Sequence, residues 1–259
     1  HNYANPPKYE RNPKEVTIEP KYADDITYVS TSYPKIRNIE ATVPKKLKAF
    51  DLGVNHSKTE RYQCPDPPNT NKDESWKSCK LLGSLIDTEN DIKRRKALAL
   101  NTLNKKKNVY NSKNLSIEQK VRHFCMFVQS TLLYNSELWA LTSTLNNKLD
   151  AFHRRILRYA IGFHWPKKVS NEDLYRITKQ IPLSRTIQKR RLSWFGHLMR
   201  LPDTTPARRA FEVAVGPKKR KRGRPKHIWL NTLQEDFKEL NINIKITAEN
   251  IPALIDLCN

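Results

Sequence analysis

Acidic side chains are the shortage in this sequence. Over 259 residues, 26 Asp+Glu stand against 48 Lys+Arg, for a formal net charge of +22. Glycine is scarce, with six residues, and no glycine-rich loop of the kind that cradles nucleotide phosphates occurs. The four cysteines, Cys64, Cys79, Cys125 and Cys258, lie far apart. They form no Cys-x-x-Cys pair, no zinc-ligand spacing and no dense disulfide framework, which suits a reducing compartment. No run of about 18 apolar residues is present, so no membrane span is expected. Hydrophobic residues make up 37% of the chain, which is low for a compact enzyme. They are spread along its whole length, however, and this argues against wholesale disorder.

The length allows one large domain or two small ones, with a real core. The excess of positive charge selects a polyanionic partner, most simply nucleic acid. It is not evenly spread: residues 1–150 carry 25 basic and 17 acidic side chains, and residues 151–259 carry 23 and 9. Residues 1–20 contain Pro6, Pro7, Pro13 and Pro20 and read as irregular. A strand-like run lies between Lys21 and Ser32. Ile36, Ile39, Val43, Leu47 and Phe50 then recur at helical spacing, with Gly53 expected as the helix stop. Residues 64–75 read as an exposed loop and Leu81–Ile86 as a short strand. Beyond this the chain is helical. Ile92, Ala99 and Leu103 share one face, and Val121, Phe124, Cys125, Val128 and Leu132 another. Leu145, Leu149, Phe152, Ile156 and Ala160 form a third face, and Trp229, Leu233, Phe237 and Leu240 a fourth.

The most informative local feature is Asp24-Asp25 within Tyr22-Ala23-Asp24-Asp25. Two adjacent acids inside an apolar strand-like run are costly to bury without partners. Alternation along a strand keeps them from both aiming at one point. A hard divalent cation such as Mg²⁺, which takes carboxylates together with substrate phosphates, would account for the leading acid. An acidic surface turn is the other reading.

The order of segments extends this. Tyr22-Ala23-Asp24-Asp25, an amphipathic helix, Gly53-Val54-Asn55-His56-Ser57-Lys58-Thr59-Glu60 and then Leu82-Gly83 resemble the late palm of a reverse transcriptase. The likeness is strongest to the enzymes of non-LTR (LINE-type) retrotransposons. Asp91-Ile92-Lys93-Arg94-Arg95 and Thr131-Leu132-Leu133-Tyr134-Asn135-Ser136-Glu137-Leu138-Trp139 resemble the thumb of these elements, with Asn135 where the family commonly has Gly. Arg191-Leu192-Ser193-Trp194-Phe195-Gly196-His197 resembles the region beyond it. The resemblance covers nearly all of the chain.

The resemblance implies an RNA-directed DNA polymerase that adds nucleotides to a primer 3′ end, with an RNA template and a DNA primer as partners. Asp24 would be the main Mg²⁺ ligand and Asp25 its partner. Tyr22 and Ala23 would flank the primer end and the incoming nucleotide. Lys58 would lie near the leaving pyrophosphate, where a cation can neutralise developing charge or donate a proton; a solvated lysine is its other reading. Leu82 and Gly83 would place the primer-grip hairpin; the edge of an ordinary core strand is their other reading. A further palm aspartate is required upstream in this family. Only 21 residues precede Tyr22, and their acids, Glu10, Glu15 and Glu19, match no family motif. The first residue is His1 and no signal peptide follows, so the chain reads as a fragment. It is expected to be inactive alone.

Cations cluster in the helical part. Lys93, Arg94, Arg95 and Lys96, then Lys105, Lys106 and Lys107, and later Lys189, Arg190 and Arg191 are expected to contact phosphates, which positions a duplex without reading its sequence. Trp194 and Phe195, beside the last group, read as core. The segment 217–226 (Pro-Lys-Lys-Arg-Lys-Arg-Gly-Arg-Pro-Lys) adds Lys218, Lys219, Arg220, Lys221, Arg222, Arg224 and Lys226. It suits nonspecific phosphate binding, nuclear import or an AT-hook-like Arg-Gly-Arg, and a plain linker is a further reading.

The expected fold is α+β, a small partial palm followed by helices. It divides into residues 1–88 (partial palm), 89–165 (thumb-like) and 166–259 (basic C-terminal region). The expected location is nuclear, after cytoplasmic synthesis. A non-catalytic, basic nucleic-acid-binding helical protein, domesticated or degraded, is the alternative to a polymerase fragment.

Overall fold

A computed structural model describes residues 17–18, 21–22, 25–62, 75–163, 168–216 and 227–258. The fold is α+β and mostly helical. It divides into two compact units, residues 1–86 and 87–259.

The first unit opens with strands β1 (Thr17–Ile18), β2 (Lys21–Tyr22), β3 (Asp25–Ile26) and β4 (Val29–Ser30). β1 pairs antiparallel with β4, Thr17 opposite Ser30. β2 pairs antiparallel with β3, Tyr22 opposite Asp25. The two ladders keep one register, so they belong to a single hairpin, and Tyr22 and Asp25 are its last paired residues. Helix α1 (Tyr33–Lys48) follows. It starts earlier than the apolar spacing suggests because Pro34 suits the first helical turn.

Gly53 is not the helix stop. α1 ends at Lys48, and the left-handed residue is Asp51 at φ 55°. Asp tolerates that region better than most side chains. Phe50 therefore falls outside the helix and is 77% exposed.

Leu81–Ile86 is not one strand. β5 (Lys80–Leu81) and β6 (Ser84–Leu85) pair across a two-residue loop, Leu82-Gly83. Both loop residues have positive φ, 45° and 80°, which matches the twist of a tight hairpin.

The second unit holds α2 (Thr88–Lys105), α3 (Lys107–Asn111), α4 (Ile117–Phe124), α5 (Ser130–Leu132), α6 (Ser143–Ile161), α7 (Asn171–Thr178), α8 (Leu183–Arg200), α9 (Pro206–Val215), α10 (Trp229–Glu239) and α11 (Ile251–Cys258). Local signals set the starts. Asp87 accepts from the Asn90 amide, Ser116 and Gln119 form a reciprocal capping box, and Ser170 accepts from the Asp173 amide. Gly162, at φ 78°, closes α6.

Packing then follows the expected faces. Ile92, Ala99, Leu103, Val121, Phe124, Val128, Leu132, Leu149, Phe152, Ile156 and Ala160 are buried in one apolar cluster. Phe195, Leu198, Met199, Phe211, Leu233, Phe237 and Leu254 form a second. Helix α8 serves both, with Leu183 and Ile187 in the first and Phe195, Leu198 and Met199 in the second. Leu240 departs from its expected face: it lies just past α10 and is 48% exposed.

Candidate nucleic-acid interface

The expected palm residues belong to the first unit. Asp25 sits on β3 and is exposed. The backbone of Tyr22 is described, opposite it, whereas Ala23 and Asp24 lie outside the described residues. Asp25 is thus the one carboxylate of the hairpin among the described residues. No group of three His, Cys, Asp or Glu able to hold a metal occurs among them either. The described residues do not make up a two-metal site. Lys58 is exposed in a turn organised by Asn55, whose Oδ1 accepts from the Ser57 amide at 3.1 Å and the Ser57 hydroxyl at 2.7 Å. Leu82 is 48% exposed in its hairpin loop, beside Gly83.

The second unit separates the expected phosphate contacts into two kinds. Lys93, Lys105, Lys106, Lys107 and Lys189 are exposed. Arg94 is partly covered, 3.9 Å from Asp91. Arg190 donates to the Leu133 carbonyl at 2.7 Å and lies 3.8 Å from Glu137.

Arg95 and Arg191 are corrected: both are buried and engaged inside the protein. Arg95 lies 3.7 Å from Asp91 and its guanidinium sits 4.4 Å over the Tyr134 ring. Burial pulls it below the ordinary arginine value, opposed by Asp91. Arg191 makes a two-pronged pair with Asp236 at 2.6 and 3.0 Å, tying α8 to α10. Neither reaches a ligand without breaking a buried ion pair. Lys218, Lys219, Arg220, Lys221, Arg222, Arg224 and Lys226 lie outside the described residues.

Lys96, from the basic end of α2, converges with two cations that the sequence reading passed over, Lys148 and Arg155. Lys96 on α2 places Nζ 5.3 Å from the centre of the Phe152 ring, and Arg155 on α6 places its guanidinium 5.5 Å from the same ring. Lys148, one helical turn before Phe152, completes the group. Burial first, then the charges of Lys148 and Arg155, pull the Lys96 ammonium below the ordinary lysine value. None of the three forms an ion pair among the described residues. Like charges gathered without an acid are unfavourable unless an anion joins them, which is the electrostatic description of a phosphate seat. Spacing gave half of this signal, because Lys148, Phe152 and Arg155 share a face of α6. The approach of Lys96 is tertiary.

A second basic-aromatic surface adjoins the end of α2. Residues Cys125–Gln129 form a π-helical turn between α4 and α5. Met126 and Phe127 there are 54% and 42% exposed. Lys106 Nζ lies 5.3 Å from the Phe127 ring, and His123 packs on that ring at 4.6 Å. Tyr110 Oη and His123 Nδ1 are hydrogen-bonded at 3.0 Å, which fixes the imidazole. Burial, then Lys106, pulls His123 below the ordinary histidine value. The arrangement offers an aromatic edge beside the run Lys105–Lys107.

Asn135, where the resemblance implies Gly, has φ 57°. Asn is the residue besides Gly that takes this conformation most readily, so the departure is conservative for the backbone.

No protein-family profile matches the chain, and no solved structure matches it. No helix among the described residues is long and apolar enough to cross a membrane. The chain is 25% identical over 239 residues, 84% of its own length and 84% of the other's, to a Caenorhabditis elegans protein described as transposon-derived and uncharacterized. It is therefore similar to a transposon-derived protein, and an origin in a transposable element is consistent with that likeness.

Proposed function

We propose that the chain is a basic, nucleic-acid-binding part of a reverse transcriptase of the non-LTR retrotransposon type, whose helical unit grips an RNA template–DNA primer duplex by its phosphates. The observation that carries this reading is the convergence of Lys96, Lys148 and Arg155 around Phe152 from two helices, with no ion pair to an acid among the described residues. The order of the palm-like and thumb-like segments and the likeness to a transposon-derived protein support the ancestry. The segment 217–226 adds charge for the same partner and is the candidate for nuclear import.

Within this reading the chain binds and does not polymerise. Catalysis with Mg²⁺ belongs to a complete palm, in which Asp24 and Asp25 would act with a third acid.

The test is binding of the full chain to an RNA–DNA hybrid with a recessed primer, followed by anisotropy across a salt series. Log affinity is expected to fall linearly with log salt. Lys96→Gln, Lys148→Gln and Arg155→Gln combined are expected to reduce the slope by about 2.7, at roughly 0.9 per phosphate contact. Salt-insensitive binding, absence of binding, or an unchanged slope in the triple variant would overturn the reading.

A further inference from the structure

Helix α8 has two faces of different character. Ile187, Arg191, Phe195 and Leu198 are buried. Arg190, Ser193, Trp194 and His197 fall at the spacing i, i+3, i+4, i+7 and make one outward stripe. This stripe and Glu137, from the 3-10 turn Ser136–Leu138, line a groove of about 280 Å³. From the geometry we infer that this groove receives one unstacked base of a single-stranded nucleic acid. The inference rests on the nucleic-acid reading above and adds a strand preference to it.

Chemistry and size both point to a base. Trp194 is half-buried, and its ring lies 5.4 Å from that of exposed His197 with 35° between the planes. Aromatic rings open to solvent beside a cation form the sequence-tolerant stacking surface used for single strands, because every base has a π-face. Arg190 supplies the cation, held at one end by the Leu133 carbonyl.

Glu137 supplies an acceptor. Its Oε2 is buried and has no hydrogen-bond partner among the described residues; the nearest cation, Arg190, is 3.8 Å away. The Glu137 carbonyl accepts from the Trp229 indole at 2.7 Å, which holds the turn in place. A buried carboxylate oxygen without a donor is costly, and a base N–H would satisfy it. The volume falls just below the roughly 300 Å³ at which drug-sized pockets begin, enough for one ring system and too small for a stack. Paired bases inside a duplex cannot enter such a groove, so the groove discriminates strands.

The test compares the full chain on a single-stranded 12-mer and on a blunt duplex of the same sequence, by anisotropy. Trp194→Ala is expected to weaken single-strand binding by about 10-fold or more. Duplex binding should stay within about twofold, and Trp194→Phe should keep most of the single-strand affinity. His197→Ala, a change at an exposed position, should give a smaller loss of the same selectivity and decides the matter if Trp194→Ala does not fold. Unchanged single-strand affinity, or an equal loss on both ligands, would overturn the groove assignment while leaving the phosphate grip standing. A wild-type chain that binds neither ligand would overturn both.

Discussion

The carboxylate of Asp91 accepts the indole N–H of Trp139 at 3.0 Å, with both side chains buried and the two residues 48 positions apart. Each belongs to a segment singled out by resemblance to a retroelement thumb, Asp91 at the head of one and Trp139 at the end of the other. The contact pins α2 to the turn that carries Asn135 and Glu137, and so fixes one wall of the Trp194 groove.

Trp139→Phe should keep most of the packing and remove the donor. A buried charged acceptor then loses a hydrogen bond, which costs about 2 kcal/mol. The urea midpoint should fall accordingly with an unchanged slope. A loss under about 0.5 kcal/mol would show that Arg94 and Arg95 satisfy Asp91 by themselves.

Asn135 gives a backbone prediction. Its φ of 57° is tolerable for Asn and free for Gly, whereas a β-branched side chain is a genuine outlier there. Asn135→Gly should leave stability within about 0.5 kcal/mol, and Asn135→Val should cost about 2 kcal/mol. Equal stability of the two variants in urea would contradict the assigned conformation.

His153 makes stability depend on acid. Burial, the dominant cause, lowers it to about 4 from 6.5, and neither ring nitrogen has a hydrogen-bond partner among the described residues. The unfolded chain therefore binds this proton at higher pH than the folded one does. Its stabilising contribution is full above about pH 6.5 and is lost as pH falls toward 4, amounting to about 2 kcal/mol by pH 5. His153→Leu should abolish that share of the loss without lowering stability at neutral pH. Denaturation at both pH values measures it, and an acid slope identical in wild type and variant would refute the assignment.

Faces were legible in the sequence where one periodicity decided burial. Leu149, Phe152, Ile156 and Ala160 are buried as their spacing requires. The fates of the cations were not legible, because pairing is decided across space. Arg191 is neutralised by Asp236, 45 positions on, and Lys96 meets Arg155 only once α2 packs on α6. The π-helical turn was hidden for a different reason. Val121, Phe124, Val128 and Leu132 keep the ordinary helical spacing through it and are all buried, so nothing in the apolar pattern marks the extra residue. The apolar run Leu81–Ile86 reads as one strand by composition, whereas the resemblance put a hairpin at Leu82-Gly83, and β5 and β6 pair across those two residues.

With Mg²⁺, nucleoside triphosphates and an RNA–DNA primer–template, the purified chain is expected to incorporate no nucleotide. The reading places Asp24 and Asp25 in half of a two-metal site, and half a site cannot hold both the attacking and the leaving oxygen. Primer extension measures this directly. Incorporation that vanishes in Asp24→Asn would overturn it.

The first unit, taken by itself, lacks a core among the described residues: Ser32 is its one buried side chain, and no residue of α1 is buried. Ile26, Tyr28, Ile39, Val43 and Leu47 line an open groove of about 450 Å³ instead of closing on one another. Pro44, inside α1, also removes a helical hydrogen bond. Helices draw most of their stability from a buried face, so α1 should open locally at a small free-energy cost. Hydrogen exchange on the full chain should find the amides of α1 exchanging at least about a hundredfold faster than those of α6, where Leu149, Leu157 and Ala160 are fully buried. Equal protection of the two helices would mean that the apolar face of α1 is covered in solution.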